Sequence, residues 1–260
     1  MESRLISRIG KRTAFSLVEL LVVIGIIVLL GSLLLSVIVR SRQFGREAAC
    51  RSNLRQIATG LEIYRSSYGG GAYFPRWLTY LSRFPEGQPL ISDPDVFICP
   101  FDRTGGAEGG RPDDLVMTDG TRIRQFANAD IDEPDGKNSI KCSYLFEMNG
   151  EQCEWVYSNG SLIVPSGEEF EWRWIPNVDE FRERADLDGD ESLSWYEVKL
   201  LTIQGWGPPE NYLPSWGPEV PMVRCFWHVE GPVLGDDDWV LNVRSDFRVD
   251  KGRPRWASGQ

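Results

Sequence analysis

Twenty consecutive positions from Leu20 to Val39 hold only apolar or small residues, and the carboxylate of Glu19 stands immediately before them. A helix of that length spans about 30 Å, the thickness of a bilayer's hydrocarbon core. No other feature limits the fold as much, because such a segment must be covered by lipid or by other helices. Glu19 is the anomaly: a charge at the end of a membrane helix is costly and is usually there for a reason. A secretory signal would have a shorter apolar core ending at a small-residue cleavage site. Here the small residue, Ala14, precedes the apolar run, so cleavage there would leave the hydrophobic helix on the mature chain.

Charge gives the segment a direction. Residues 1–14 carry Arg4, Arg8, Lys11 and Arg12 against Glu2, whereas the whole chain has a net charge of -10. Basic residues beside an apolar span mark the cytoplasmic side. The expected location is therefore the inner membrane, single-pass, with the head periplasmic or extracellular. An acidic chain is a poor match for nucleic acid.

After the span, Arg40, Arg42 and Arg46 mark emergence into water. Leu54, Ile57, Ala58, Leu61 and Tyr64 then recur at helical spacing, the mark of one buried face. Gly69-Gly70-Gly71 stops the pattern. One helix is predicted from about Phe15 to Tyr68, its second half packed on a head. A short helix is expected around Trp77 to Arg83 and a short strand from Val96 into Cys99. Later strands are expected at Ser143–Glu147, Glu154–Tyr157, Leu162–Val164, Phe170–Trp174, Met222–Phe226 and Trp239–Val243, followed by Phe247 to Val249. Helix first and strands later predicts an α+β fold with an antiparallel sheet. The ten tryptophans, among them Trp172, Trp174, Trp227 and Trp239, are expected to fill the core rather than form a glycan-binding surface.

Lys11-Arg12-Thr13-Ala14-Phe15-Ser16-Leu17-Val18-Glu19, with the apolar run behind it, resembles the type IV prepilin leader shared by pilins and type II secretion pseudopilins. The resemblance implies cleavage by prepilin peptidase between Ala14 and Phe15, N-methylation of Phe15, and pairing of Glu19 with the terminal amine of a neighbouring subunit. Ala14 stands where the family usually has Gly. The implied organisation is a leader at 1–14, a transmembrane or filament-core helix at 15–39, its continuation at 40–68, and a pilin-like head at 69–260. The implied function is a structural subunit of a type II secretion or type IV pilus-type filament, with other pilin subunits and the inner membrane as partners. A membrane-anchored extracytoplasmic module that binds glycan or exported protein is the alternative. An enzyme is not expected: the chain has one histidine, no Gly-x-Ser-x-Gly elbow and no phosphate loop.

Further phrases resemble a large bacterial prepilin-like family: Cys50-x-x-Asn53-Leu54-x-Gln56-Ile57, Phe97-x-Cys99-Pro100-x-Asp102, Ser143-Tyr144 with Asn149, and His228 followed by a strand pair. That family carries an Asp-Gly turn where this chain has Asp246-Phe247. His228 with Cys225 could form half of a metal site, and Cys99 with Asp102 the other half. The spacing matches no standard zinc module, so a hydrogen-bonded structural histidine beside a disulfide is the expectation. The five cysteines leave at least one outside any pairing within the chain. Cys142 and Cys153 flank Asn149-Gly150, a hairpin-turn signal, and form the preferred intramolecular pair.

Residues 186–197, Asp-Leu-Asp-Gly-Asp-Glu-Ser-Leu-Ser-Trp-Tyr-Glu, resemble an EF-hand loop inserted in the head. Calcium takes six to eight oxygen ligands, supplied in that loop from positions 1, 3, 5, 7, 9 and 12. The mapping gives Asp186, Asp188, Asp190, the Ser192 carbonyl, Ser194 and a bidentate Glu197. Leu193 would anchor the loop, Val178–Ala185 would form the entering helix and Trp195–Leu201 the exiting one. Glu191 stands at the sixth position, where Gly is usual. Without a second loop to pair with, a structural calcium clip is expected rather than a switch.

Overall fold

A computed structural model describes residues 16–68, 74–75, 78–82, 88–107, 115–117, 141–148, 150, 156–158, 161–163, 169–170, 183, 186–187, 189, 194–204, 220–229, 231, 233–235 and 237–254. The chain divides into two compact units, Met1–Gly45 and Arg46–Gln260. Helix α1, Leu17–Ser67, belongs to both.

In the first unit α1 starts on a capping box. The Val18 amide donates to Ser16 Oγ at 3.2 Å, and the Ser16 amide donates to Glu19 Oε2 at 2.9 Å. Two amide donors at the helix start are thereby satisfied reciprocally. The apolar side chains that follow, from Leu20 to Val39, lie exposed. With a mean hydropathy of 3.1 over its most apolar window, α1 is long and apolar enough to cross a membrane.

In the second unit α1 changes character. Cys50, Leu54, Ile57, Ala58 and Leu61 are buried on one face, and Tyr64 packs at its edge. This is the predicted stripe, with Cys50 added one turn earlier. The face meets Phe97, Tyr144, Phe146, Met222, Val223, Leu241 and Val243 in one core.

The main sheet is antiparallel, in the order β2 (Leu145–Phe146), β6 (Pro221–Cys225), β8 (Val240–Arg244) and β9 (Val249–Gly252). Both central strands are almost wholly buried. A three-stranded antiparallel meander joins β3 (Val156–Ser158), β4 (Ser161–Ile163) and β5 (Glu169–Phe170). A parallel pair joins β1 (Val116–Met117) to β7 (Val233–Leu234). The long apolar helix and the C-terminal antiparallel sheet make the chain α+β, as expected.

One element differs from its sequence reading. The strand expected into Cys99 is a 3-10 helix, Pro94–Phe97. Asp93 caps it by accepting from the Asp95 amide at 3.0 Å, and Pro94 opens it. An Asp cap followed by Pro at the first helical position outweighs the β-propensity of Val96 and Phe97. The helix expected at Trp77–Arg83 is also of the 3-10 type, Leu78–Leu81.

Helix α2, Trp195–Gln204, docks on the sheet through charge. Lys199 Nζ lies 3.1 Å from Glu147 Oε2, and Arg224 Nη1 lies 3.3 Å from Glu147 Oε1, all three side chains being buried. Burial alone would push the Glu147 carboxyl up, but the two cations outweigh it and hold it below the ordinary carboxylate value. Trp195 is buried, whereas Trp227 and Trp239 are only partly buried against the edge of the core. Trp172 and Trp174 lie outside the described residues.

A candidate metal centre

The family-like phrases are scattered in sequence, yet their described residues converge. Cys50 is buried on α1. One helical turn later, Asn53 Nδ2 donates to the Ile98 carbonyl at 2.9 Å, which fixes the chain just before Cys99. A tight turn follows, closed by the Asp102 amide on the Cys99 carbonyl at 2.9 Å.

Asp102 organises this turn and does not face the metal candidates. Its Oδ1 accepts from the Thr104 amide and hydroxyl at 2.7 and 2.6 Å. Its Oδ2 accepts from the Gly106 amide at 2.8 Å and the Ser143 hydroxyl at 2.6 Å. Gly106 has φ +80°, and a Cβ there would lie 2.7 Å from the Cys142 amide nitrogen, so the loop needs glycine. The Ser143 amide donates to Phe97 O at 2.8 Å, and the Tyr144 hydroxyl lies 3.7 Å from Cys50 Sγ.

Cys225 ends the central strand β6, and His228 sits in the turn that follows. The His228 ring lies between Phe101 and Trp239, with centroid distances of 4.5 and 5.7 Å. Cys50 Sγ is 3.7 Å from Cys225 Sγ, and Cys99 Sγ is 3.9 Å from His228 Nε2. Donor atoms of all four residues fall within 4.8 Å of one another. All three cysteines are fully buried, and His228 is half-buried.

This arrangement corrects two expectations. His228 stands beside three thiols and no disulfide: Cys50, Cys99 and Cys225 are unbridged. The fourth group is Cys50 in place of Asp102, whose oxygens are occupied by the turn. Cys50 is the member that sequence reasoning missed as a metal-site candidate. It lies 175 positions from Cys225, and no local spacing pattern reaches that far.

The electrostatics favour a thiolate at Cys99. Hydrogen bonds from Cys225 and Cys50, with smaller contributions from His228 and the Phe101 amide, pull its thiol well below the ordinary range. Burial pushes Cys225 the other way. The three sulfurs are buried, an environment suited to metal ligation or disulfide formation.

At the EF-hand-like loop, Asp186, Ser194 and Glu197 are described, while Asp188, Asp190, Ser192 and also Glu191 lie outside the described residues. Glu197 Oε1 accepts from the Leu187 amide at 2.9 Å. Its Oε2 accepts from the Ser194 amide at 2.8 Å and hydroxyl at 2.7 Å. Ser194 and Glu197 thus form the capping box of α2, the expected exiting helix, and Glu197 ties the loop's last position to its second. Asp186 Oδ1 accepts from the Gly189 amide at 2.7 Å, where Gly189 takes φ +75°. These contacts bend the loop back on itself, with the Asp186 and Glu197 carboxylates engaged by its own amides.

Ala14 and Phe15 lie outside the described residues, as does Cys153, the expected partner of buried Cys142. Glu19 is described, and its carboxylate serves the cap of α1. Compared with protein-family models, with curated proteins and with solved structures, the chain matches none.

Proposed function

We propose that this chain is a pilin-like structural subunit, anchored in the inner membrane and drawn into a type II secretion or type IV pilus-type filament. The reading is carried by one observation: a single helix, Leu17–Ser67, combines an exposed apolar half with a half buried in an α+β unit. The apolar half suits lipid before assembly and other apolar helices after it. Glu19 at its start would supply a register charge, pairing with the freed amine of Phe15 in the next subunit. No catalytic role is part of this reading.

Calcium, bound at Asp186, Asp188, Asp190, Ser192, Ser194 and Glu197, would act as a structural clip between the loop and α2. The closure of the loop by Glu197 supports that assignment.

The test is intact-mass and N-terminal analysis of the protein recovered from its native membrane. A chain beginning at methylated Phe15 is the expected result. A chain that keeps residues 1–14 would overturn the prepilin pathway and leave a signal-anchored ectodomain.

A further inference from the structure

We propose that Cys50, Cys99, Cys225 and His228 bind one structural zinc ion that fastens α1 to the sheet of the head. Structural zinc is tetrahedral, and three cysteines with one histidine is among its usual ligand sets. With Zn–S bonds of about 2.3 Å, two sulfurs of a tetrahedral site stand about 3.8 Å apart. The Cys50–Cys225 separation of 3.7 Å already has this value. The Cys99–His228 separation of 3.9 Å is slightly longer than the roughly 3.6 Å of a sulfur–nitrogen edge.

The surroundings are those of a closed site. Zinc thiolates are tuned by hydrogen bonds from a second layer, and here the Tyr144 hydroxyl approaches Cys50 Sγ at 3.7 Å. Phe101 and Trp239 fix the His228 ring. Asn53 and the capped 3-10 helix bring Cys99 into place without contributing a donor themselves. Soft thiolates and an imidazole select zinc over calcium or magnesium, which take oxygen ligands. This centre is therefore chemically distinct from the acidic loop at 186–197.

The competing use of the same atoms is a disulfide. Any bridge among three mutually adjacent thiols strands the third beside His228. A metal ion engages all four donors, and binding releases the thiol protons to solvent. The ion joins a helix, a turn, the end of a central strand and the turn after it, so it would cross-link elements far apart in sequence. The inference needs only the second unit's geometry and stands whether or not the chain enters a filament.

The experiment uses the full chain in detergent, purified without metal-affinity steps. Elemental analysis should find one zinc per chain. Exchange with cobalt(II) should give the visible bands of a tetrahedral site and a thiolate charge-transfer band. His228→Cys should keep one equivalent of cobalt but shift these bands to those of a four-sulfur site. Cys99→Ser should lose the charge-transfer intensity of one thiolate or the metal altogether, and Glu197→Gln should leave the spectrum unchanged. A disulfide among Cys50, Cys99 and Cys225, found by non-reducing peptide mapping of the native protein, would overturn the proposal. So would a cobalt spectrum indifferent to His228→Cys.

Discussion

Cys50 Sγ and Cys225 Sγ meet at 3.7 Å, bringing the second half of a 51-residue helix against the end of a central β-strand. The neighbouring Asn53–Ile98 hydrogen bond brings Cys99 to the same point. Asn53→Leu keeps the side chain's size but leaves the Ile98 carbonyl without this donor. The expected cost is about 1–2 kcal/mol, a fall in Tm of roughly 2–8 °C for a head of this size. Cobalt affinity at the proposed zinc site should fall by roughly 10–100-fold, the usual effect of losing a supporting contact. An unchanged Tm together with unchanged affinity would show that Asn53 positions nothing.

Glu147 answers two buried cations, Lys199 from α2 and Arg224 from β6. Removing the carboxylate leaves both facing each other in the core. Glu147→Gln should destabilise the head by about 3–5 kcal/mol at neutral pH. The folded-state pKa of Glu147 is depressed, so its contribution is complete above the unfolded value of about 4.3 and disappears as pH falls through the lower folded value. Thermal melts between pH 7 and pH 3 should therefore fall more steeply for the parent below about pH 4.3 than for Glu147→Gln. Parallel curves would mean that Glu147 is not charged in the native core.

The large features were legible because their signals are periodic or local. The apolar run and the Leu54–Leu61 stripe can each be read within a few turns of chain, and α2 is expected from the resemblance of residues 186–197 to an EF-hand loop. The strand pair β6 and β8 announces itself by apolar content. The 3-10 helix at Pro94–Phe97 was misread because a short apolar run suits a strand, whereas the deciding signal was Asp93-Pro94 just before it. Three of the four residues of the metal centre are legible, Cys225 and His228 three positions apart and Cys99 in its turn, whereas Cys50 reaches them only through tertiary packing. Asp102 looked like a ligand by type, yet its position next to a Thr-x-Gly turn gave its oxygens other work.

Phe247 is a non-glycine residue at φ +65°, in the turn between β8 and β9. The Phe247 amide donates to the Arg244 carbonyl at 2.8 Å and the Arg244 amide to the Arg248 carbonyl at 2.9 Å. A left-handed residue after such a turn is where a hairpin favours glycine. The phenyl ring offsets the strain by packing 6.0 Å from Phe74 and 4.5 Å from the Arg65 guanidinium. Phe247→Ala loses the ring and keeps the strain, while Phe247→Gly loses both. Urea unfolding should therefore rank Phe247→Gly above Phe247→Ala by about 1 kcal/mol. Equal stabilities would mean that the turn relaxes away from positive φ.

Calcium should raise the stability of the head by mass action. At ten times a dissociation constant of about 1 mM, binding adds roughly 1.4 kcal/mol, or about 3–6 °C in Tm. Glu197→Gln retains an oxygen for the Ser194 capping contacts but halves the carboxylate's ligating power. The calcium-dependent rise in Tm should vanish in this variant, and the calcium-free protein should lose about 1 kcal/mol because the Leu187 amide is left without its acceptor. A rise that survives the substitution would place the ion elsewhere.

Glu19 has two separable roles, and one substitution divides them. Its Oε2 caps α1 through the Ser16 amide, a contact that glutamine can also make. Its charge is what the proposed filament would use against a neighbouring amine. Glu19→Gln should therefore leave the helix start intact but abolish recovery of the chain in sheared filaments, while the membrane-bound pool accumulates. Glu19→Ala should lose both the cap and assembly. The head's melting temperature should be unmoved in each case, because Glu19 belongs to the first compact unit and the core to the second. Filament recovery that persists in Glu19→Gln would leave Glu19 as a helix cap alone, and the ion pair between subunits would have to be abandoned.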